Sequence, residues 1–77
     1  MVHYGGMFTD EELRRALAKY LATHGPAETT SQLTKRGVGA RTAGGLVAGS
    51  YNHKPSSLLR VVLVDMLRAE LKALKSA

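Results

Sequence analysis

The sequence of 77 residues predicts a small all-α domain of four or five helices. Apolar residues recur every three or four positions in residues 13–21 and again in residues 58–74, which is the spacing of a helix face. The segments between them contain Gly-Pro, Gly-Val-Gly and Lys-Pro, all typical of helix ends and turns. The chain has no cysteine, so disulfides cannot reinforce the fold.

The length allows one domain with a single small core. Residues 1–8 contain a Gly-Gly break and no helical period, and we interpret them as an N-terminal arm. Residues 9–77 form the folded domain in this interpretation. A core of this size stabilises a chain only marginally, so we expect self-association to supplement it.

The first helix is predicted to begin after Thr9. Thr9 and Glu12 have the spacing of a capping box, in which each side chain accepts a hydrogen bond from the other residue's backbone N–H. Gly25-Pro26 ends this helix. Its apolar face consists of Leu13, Ala16, Leu17, Tyr20 and Leu21.

A second, short helix is predicted for residues 26–36, with several candidate caps in residues 28–31 and Leu33 as its core residue. Gly37 suits a left-handed turn, and Val38 is expected to pack inward. The third helix then opens at Gly39 or Ala40.

The last helix is predicted for about residues 57–75, capped by Ser56 or Ser57. A β-strand over residues 58–64 is the competing interpretation, because this segment is rich in valine. The apolar stripe is broader than one core face requires, so we expect the helix to pack against a second copy of the chain. The expected dimer interface consists of Val61, Val64, Leu67 and Leu71.

Charge is distributed unevenly along the chain. Eleven Lys and Arg against six Asp and Glu give a net charge of +5. Residues 29–64 contain no acidic residue, so this part of the surface should attract a polyanion. Nucleic acid is therefore the leading partner. The basic residues of this segment are Lys35, Arg36, Arg41, Lys54 and Arg60.

The segment from Leu33 to Ser57 resembles the helix-turn-helix of lambda-repressor and Cro-type regulators. The shared features are a leucine-anchored helix, the Gly37-Val38 turn, a following helix with small and aliphatic residues, and a loop ending in Pro55-Ser56. Thr34 departs from the pattern, which has alanine after the leucine. The resemblance implies a dimeric, sequence-specific duplex DNA-binding transcriptional regulator, such as a small phage- or plasmid-type repressor.

The same resemblance implies which residues meet DNA. The start of the third helix enters the major groove, so the residues expected to read bases are Arg41, Thr42 and Gly45. Arg41 is the first choice because a guanidinium binds guanine through two hydrogen bonds. The expected phosphate contacts are Lys35, Arg36, His53, Lys54 and Ser56.

Gly44 and Gly45 fall inside the predicted third helix, where each costs about 1 kcal/mol relative to alanine. One interpretation is that the helix backbone closely approaches DNA or a facing helix, and the other is that this segment is a loop. A nucleotide-binding loop is disfavoured, because no Gly-Lys-Ser/Thr ending follows the glycines.

Other functions find less support in the sequence. No carboxylate pair, nucleophile with a base, or metal-ligand spacing is evident, so we expect no catalysis, cofactor, metal or small-molecule substrate. The lack of a long apolar run or a leader predicts a cytoplasmic protein without a membrane partner. The alternative is a small protein-binding module, an inhibitor or assembly factor, that uses its apolar last helix.

Overall fold

The computed structural model describes residues 8–76, with side chains through residue 74. Five helices and no strand occur in this range, which confirms the predicted all-α class. They are α1 (Asp10–His24), α2 (Pro26–Lys35), α3 (Ala40–Ala48), α4 (Ser57–Met66) and α5 (Arg68–Ser76). The N-terminal arm predicted for residues 1–8 lies outside the described residues, apart from Phe8.

The start of α1 follows the sequence prediction. Thr9 Oγ1 accepts a hydrogen bond from the N–H of Glu12 at 3.1 Å, and Glu12 Oε1 accepts one from the N–H of Thr9 at 2.9 Å. This reciprocal pair is the predicted capping box. Gly25 ends the helix at a positive φ of 87° and also serves as the N-cap of α2. The candidate caps in residues 28–31 instead lie inside α2.

The core draws apolar side chains from all five helices. α1 packs most extensively on α5, and α2 packs most extensively on α3. Thr29 is fully buried among them, and its hydroxyl donates to the carbonyl oxygen of Gly25 at 2.7 Å. The buried apolar residues are Leu13, Ala16, Leu17, Leu33, Ala43, Leu59, Leu63, Val64, Met66, Leu67 and Leu71.

The predicted single helix over residues 57–75 is wrong in one respect, because α4 and α5 are separate. Leu67 lies between them with φ −104° and ψ 21°, outside regular helical geometry. Its N–H still donates to the carbonyl oxygen of Leu63 at 2.8 Å. The break lets α4 pack on α1 and α2 while α5 packs along α1. Residues 58–64 are helical, so the β-strand interpretation is also wrong.

Residues 36–39 connect α2 to α3. Gly37 adopts a φ of 91°, which favours glycine, as the sequence predicted. The N–H of Val38 donates to the carbonyl oxygen of Leu33 at 3.1 Å, and the side chain of Val38 packs against the core. Gly39 is the N-cap of α3. The short connection therefore holds the first turn of α3 close to the last turn of α2.

Candidate nucleic-acid interface

The basic residues of the acid-free segment differ in their pairing. Arg36 Nε donates to Asp65 Oδ2 at 3.3 Å. Arg36 Nη1 donates to the carbonyl oxygen and to Oε1 of Gln32 at 3.2 and 2.8 Å. Most of the guanidinium is thus engaged within the chain. Of the expected phosphate contacts, Arg36 is the one whose charge is already partly neutralised.

Arg60 serves the fold. Its guanidinium bonds to the carboxylate of Asp10 and to the carbonyl oxygen of Phe8, and its side chain is only 17% exposed. These contacts join the start of α1 to α4. Arg60 therefore contributes little to the charge of the outer surface.

Three other cations of this segment are exposed: Lys35, Arg41 and Lys54. Within the described residues, none of the ion pairs involves their side chains. Lys35 is the last residue of α2, Arg41 lies in the first turn of α3, and Lys54 precedes α4. Their charges remain available to an external anion.

The first turn of α3 also presents backbone donors. Its N-cap, Gly39, supplies no side-chain acceptor, so the first N–H groups of the helix have no side-chain cap. Such groups, with the positive end of the helix dipole, favour an anion. Arg41 lies exposed beside them, whereas Thr42 is half-buried and lines a groove against α4.

The glycine pair lies within α3, so the loop interpretation of this segment is wrong. A Cβ at Gly45 would lie 3.7 Å from Ser50 Oγ and 3.8 Å from Tyr51 Cβ, in ordinary contact with the chain's own loop. The prediction that Gly45 reads bases is therefore corrected, because this glycine faces the loop of its own chain rather than the outside. Gly44 is exposed, and a Cβ added there would meet no atom of the other described elements within 4 Å.

The loop before α4 carries three of the predicted phosphate contacts, His53, Lys54 and Ser56. The rings of His53 and Tyr51 meet edge to face, with centroids 5.7 Å apart. Ser56 is the N-cap of α4, where its Oγ accepts a hydrogen bond from the N–H of Leu59 at 3.2 Å. The Ser56 hydroxyl retains its proton for donation to an anion. His53 and Ser56 are both exposed, so each is accessible at the surface.

Three of the four residues expected at a dimer interface lie in the core. Val64, Leu67 and Leu71 are 3%, 0% and 1% exposed, because α4 and α5 turn these side chains toward the other helices of the same chain. They are therefore unavailable to a second copy in this fold, and that assignment is corrected. Val61, at 55%, is exposed, and so is Leu58, at 81%.

A second groove, of about 390 Å³, lies between α1 and the C-terminal end of α3. Its walls are mainly apolar and include Leu17, Leu21 and Val47, with Arg14 among the charged residues that line it. Among the described residues, no three His, Cys, Asp or Glu side chains are grouped to hold a metal ion. None of the helices there has the length and apolarity needed to cross a membrane.

Comparisons with known proteins identified no similar protein. A scan against protein-family models, a search of curated proteins and a search of solved structures each found no match. The resemblance to lambda-repressor and Cro-type regulators therefore stays a prediction from the sequence.

Proposed function

We propose that the protein is a sequence-specific duplex DNA-binding transcriptional regulator, with α2 and α3 as its helix-turn-helix. The observation that carries the proposal is the position of Arg41, exposed in the first turn of α3 and outside the ion pairs of the described residues. Repressors of this motif place that turn in the major groove. The tight connection through Gly37 supports the same geometry.

In the proposed complex, Arg41 donates two hydrogen bonds to a guanine edge. Lys35 and Lys54 contact phosphates on either side, and the uncapped N–H groups of α3 add further donors. These phosphate contacts set the register of the helix in the groove. A small repressor acts by occupancy, because a protein seated on its operator blocks polymerase.

The salt dependence of binding tests this proposal. The test measures fluorescence anisotropy of a labelled random duplex at several salt concentrations. If Lys35 and Lys54 each neutralise one phosphate, the logarithm of the affinity should fall with the logarithm of salt with a slope of about −2. Absence of binding at low salt would defeat the proposal.

A matched variant makes the test specific to this surface. Lys35→Ala should lower the slope by about one unit. Lys19→Ala removes another exposed cation, on α1, and should leave the slope unchanged. Equal effects of the two variants would indicate diffuse attraction by the net charge of +5 rather than a defined face.

The exposed pair Leu58 and Val61 favours a second candidate, a module that binds another protein. Apolar contacts respond weakly to salt, so the same titration separates the two functions. Absence of binding to DNA, together with binding to a protein partner at high salt, would favour this candidate.

A further inference from the structure

One side of α3 is left without a helix packed against it. Its extensive contacts are with α2, whereas α1 packs on α2, α4 and α5 and makes little contact with α3. The groove of about 390 Å³ lies in the space that results, and we call it the α1–α3 groove. Leu21 of α1 and Leu46 and Val47 of α3 line it and are only half-buried. The groove therefore presents apolar surface that no described helix covers.

The size and the lining of the α1–α3 groove are those of a small-molecule site. Ligand sites in proteins have volumes of roughly 300 to 1,000 Å³ and mainly apolar walls with a few polar groups. The core side chains of Leu13, Leu17 and Leu63 also line the groove, and all three are buried. Their positions are fixed by packing within the chain. An apolar tail can therefore bury its surface against them without rearrangement of the core.

The charged groups of the α1–α3 groove favour an anion. Asp10, Arg14 and His53 line it, and the charge of Asp10 is offset because its carboxylate is bonded to the guanidinium of Arg60. Arg14 is exposed, and none of the ion pairs of the described residues involves its side chain. The imidazole of His53 can add an N–H donor. Among anions, a carboxylate matches the fork of a guanidinium with its two oxygens.

We propose that the α1–α3 groove binds a small carboxylate with an apolar tail, of the kind of a medium-chain fatty acid. The guanidinium of Arg14 donates hydrogen bonds to the carboxylate, and the tail lies along Leu21 and Val47 between the two helices. Of the residues of the proposed DNA surface, His53 alone lines this groove. The site depends on Arg14 and the apolar walls, which have no part in the proposed DNA binding.

Titration of the full chain with octanoate in the absence of DNA, followed by amide NMR spectra, tests the proposal. Octanoate should shift the signals of residues 14–21 and 46–49, and the shifts should saturate at millimolar ligand. Octylammonium has the same tail with the opposite charge, so it isolates the contribution of the carboxylate. We expect it to bind about fivefold more weakly or worse, because Arg14 would repel it.

Three variants locate the contact. Arg14→Ala should lower the affinity for octanoate by about two- to fivefold, the range of an exposed ion pair, and should not weaken octylammonium. Arg15→Ala is the matched control, because this neighbouring exposed arginine pairs with Glu11 and does not line the groove. It should leave the affinity unchanged. Ala18→Leu places a larger side chain in the groove and should exclude the tail from it.

Thermal melting checks the variants, and we expect all three to unfold at nearly the wild-type temperature because the replaced side chains are exposed. Absence of saturable shifts with octanoate, or equal affinity for octylammonium, overturns the proposal. So do equal losses in Arg14→Ala and Arg15→Ala, or undiminished binding by Ala18→Leu. A chain that binds octanoate but not DNA would instead count against the proposed function alone.

Discussion

Arg36 at the end of α2 and Asp65 near the end of α4 form an ion pair, with Nε and Oδ2 3.3 Å apart. Arg68 extends the pair, since its Nη2 lies 3.5 Å from Asp65 Oδ1. The carboxylate of Asp65 thus forms ion pairs with two arginine side chains. The carboxylate lowers the positive potential next to the exposed Lys35, on the surface that we propose meets DNA.

Removal of this carboxylate should strengthen non-specific DNA binding. Asp65→Ala releases Arg36 for a phosphate contact, so the affinity for random duplex should rise and the salt slope should steepen by about one unit. The free energy of unfolding should fall by no more than about 1 kcal/mol, because both side chains of the pair are partly exposed. Anisotropy titrations and thermal melting measure the two effects.

Glu11→Ala is the control for that experiment. It removes the same charge from a pair with Arg15 at 3.2 Å on α1. We expect a smaller gain in DNA affinity and no change in slope. If both variants behave alike, the effect comes from net charge, and Arg36 has no contact with phosphate.

Arg41 and Lys54 should respond differently to substitution. Arg41→Ala should cost about 1–3 kcal/mol of binding free energy on the cognate site, mostly by reducing the preference over random DNA. Lys54→Ala should weaken cognate and random duplex alike and lower the salt slope by about one unit. Competition titrations with both duplexes measure this. Equal losses on all sequences in both variants would make Arg41 another phosphate contact.

Gly44 offers a test of close approach by α3. A Cβ at this position would meet no atom of the other described elements within 4 Å, so Gly44→Ala should stabilise the helix by up to about 1 kcal/mol. Gly44→Leu should fold but weaken DNA binding, because the side chain would separate the helix backbone from the groove. Melting and anisotropy distinguish fold from binding. Unchanged affinity of a folded Gly44→Leu variant would show that this face does not meet DNA.

Gly45→Leu should behave differently from the same change at Gly44. The added side chain is directed toward Ser50 and Tyr51 of the same chain, so we expect a loss of thermal stability as these residues are displaced. Melting of the two leucine variants side by side measures the difference. Equal melting temperatures would mean that the loop after α3 can shift to accommodate the leucine without a loss of stability.

Lysine should be tolerated at Val61 and rejected at Val64. Val64 is 3% exposed, so Val64→Lys places a charge in the core without a partner and should unfold the domain. Val61 is 55% exposed and should accept lysine with little change in melting temperature. Circular dichroism melts of both variants make the comparison. A folded Val64→Lys variant would argue against the packing of α4.

Features set by neighbouring residues were predictable from the sequence. The capping box of Thr9 and Glu12 depends on two residues three positions apart, and the Gly37 turn depends on one residue without a side chain. Leu33 was correctly predicted as a core residue because it is the only large apolar residue of α2. Each of these features depends on residues close together in the chain, so a single sequence is enough to predict it.

Features set by distant residues were missed. No glycine or proline marks the break at Leu67, which forms where α4 and α5 follow different helices of the core. Threonine is a common helix-capping residue, but Thr29 lies inside α2 and is buried by tertiary packing. Arg36 and Arg60 looked equivalent to the other cations, yet their partners lie 29 and 50 positions away in the chain. Sequence spacing does not reveal pairs so far apart.

The packing of α1 on α5 also affects the order in which the protein can fold during synthesis. α1 leaves the ribosome first among the described helices, but the helix that covers it most extensively is the last of them to be translated. Until then, Leu13 and Leu17 lack part of their cover, whereas α2 and α3 can already pack on each other. We therefore expect the nascent chain to expose part of the apolar face of α1, which chaperones can bind, and the core to close only after α5 has emerged from the exit tunnel.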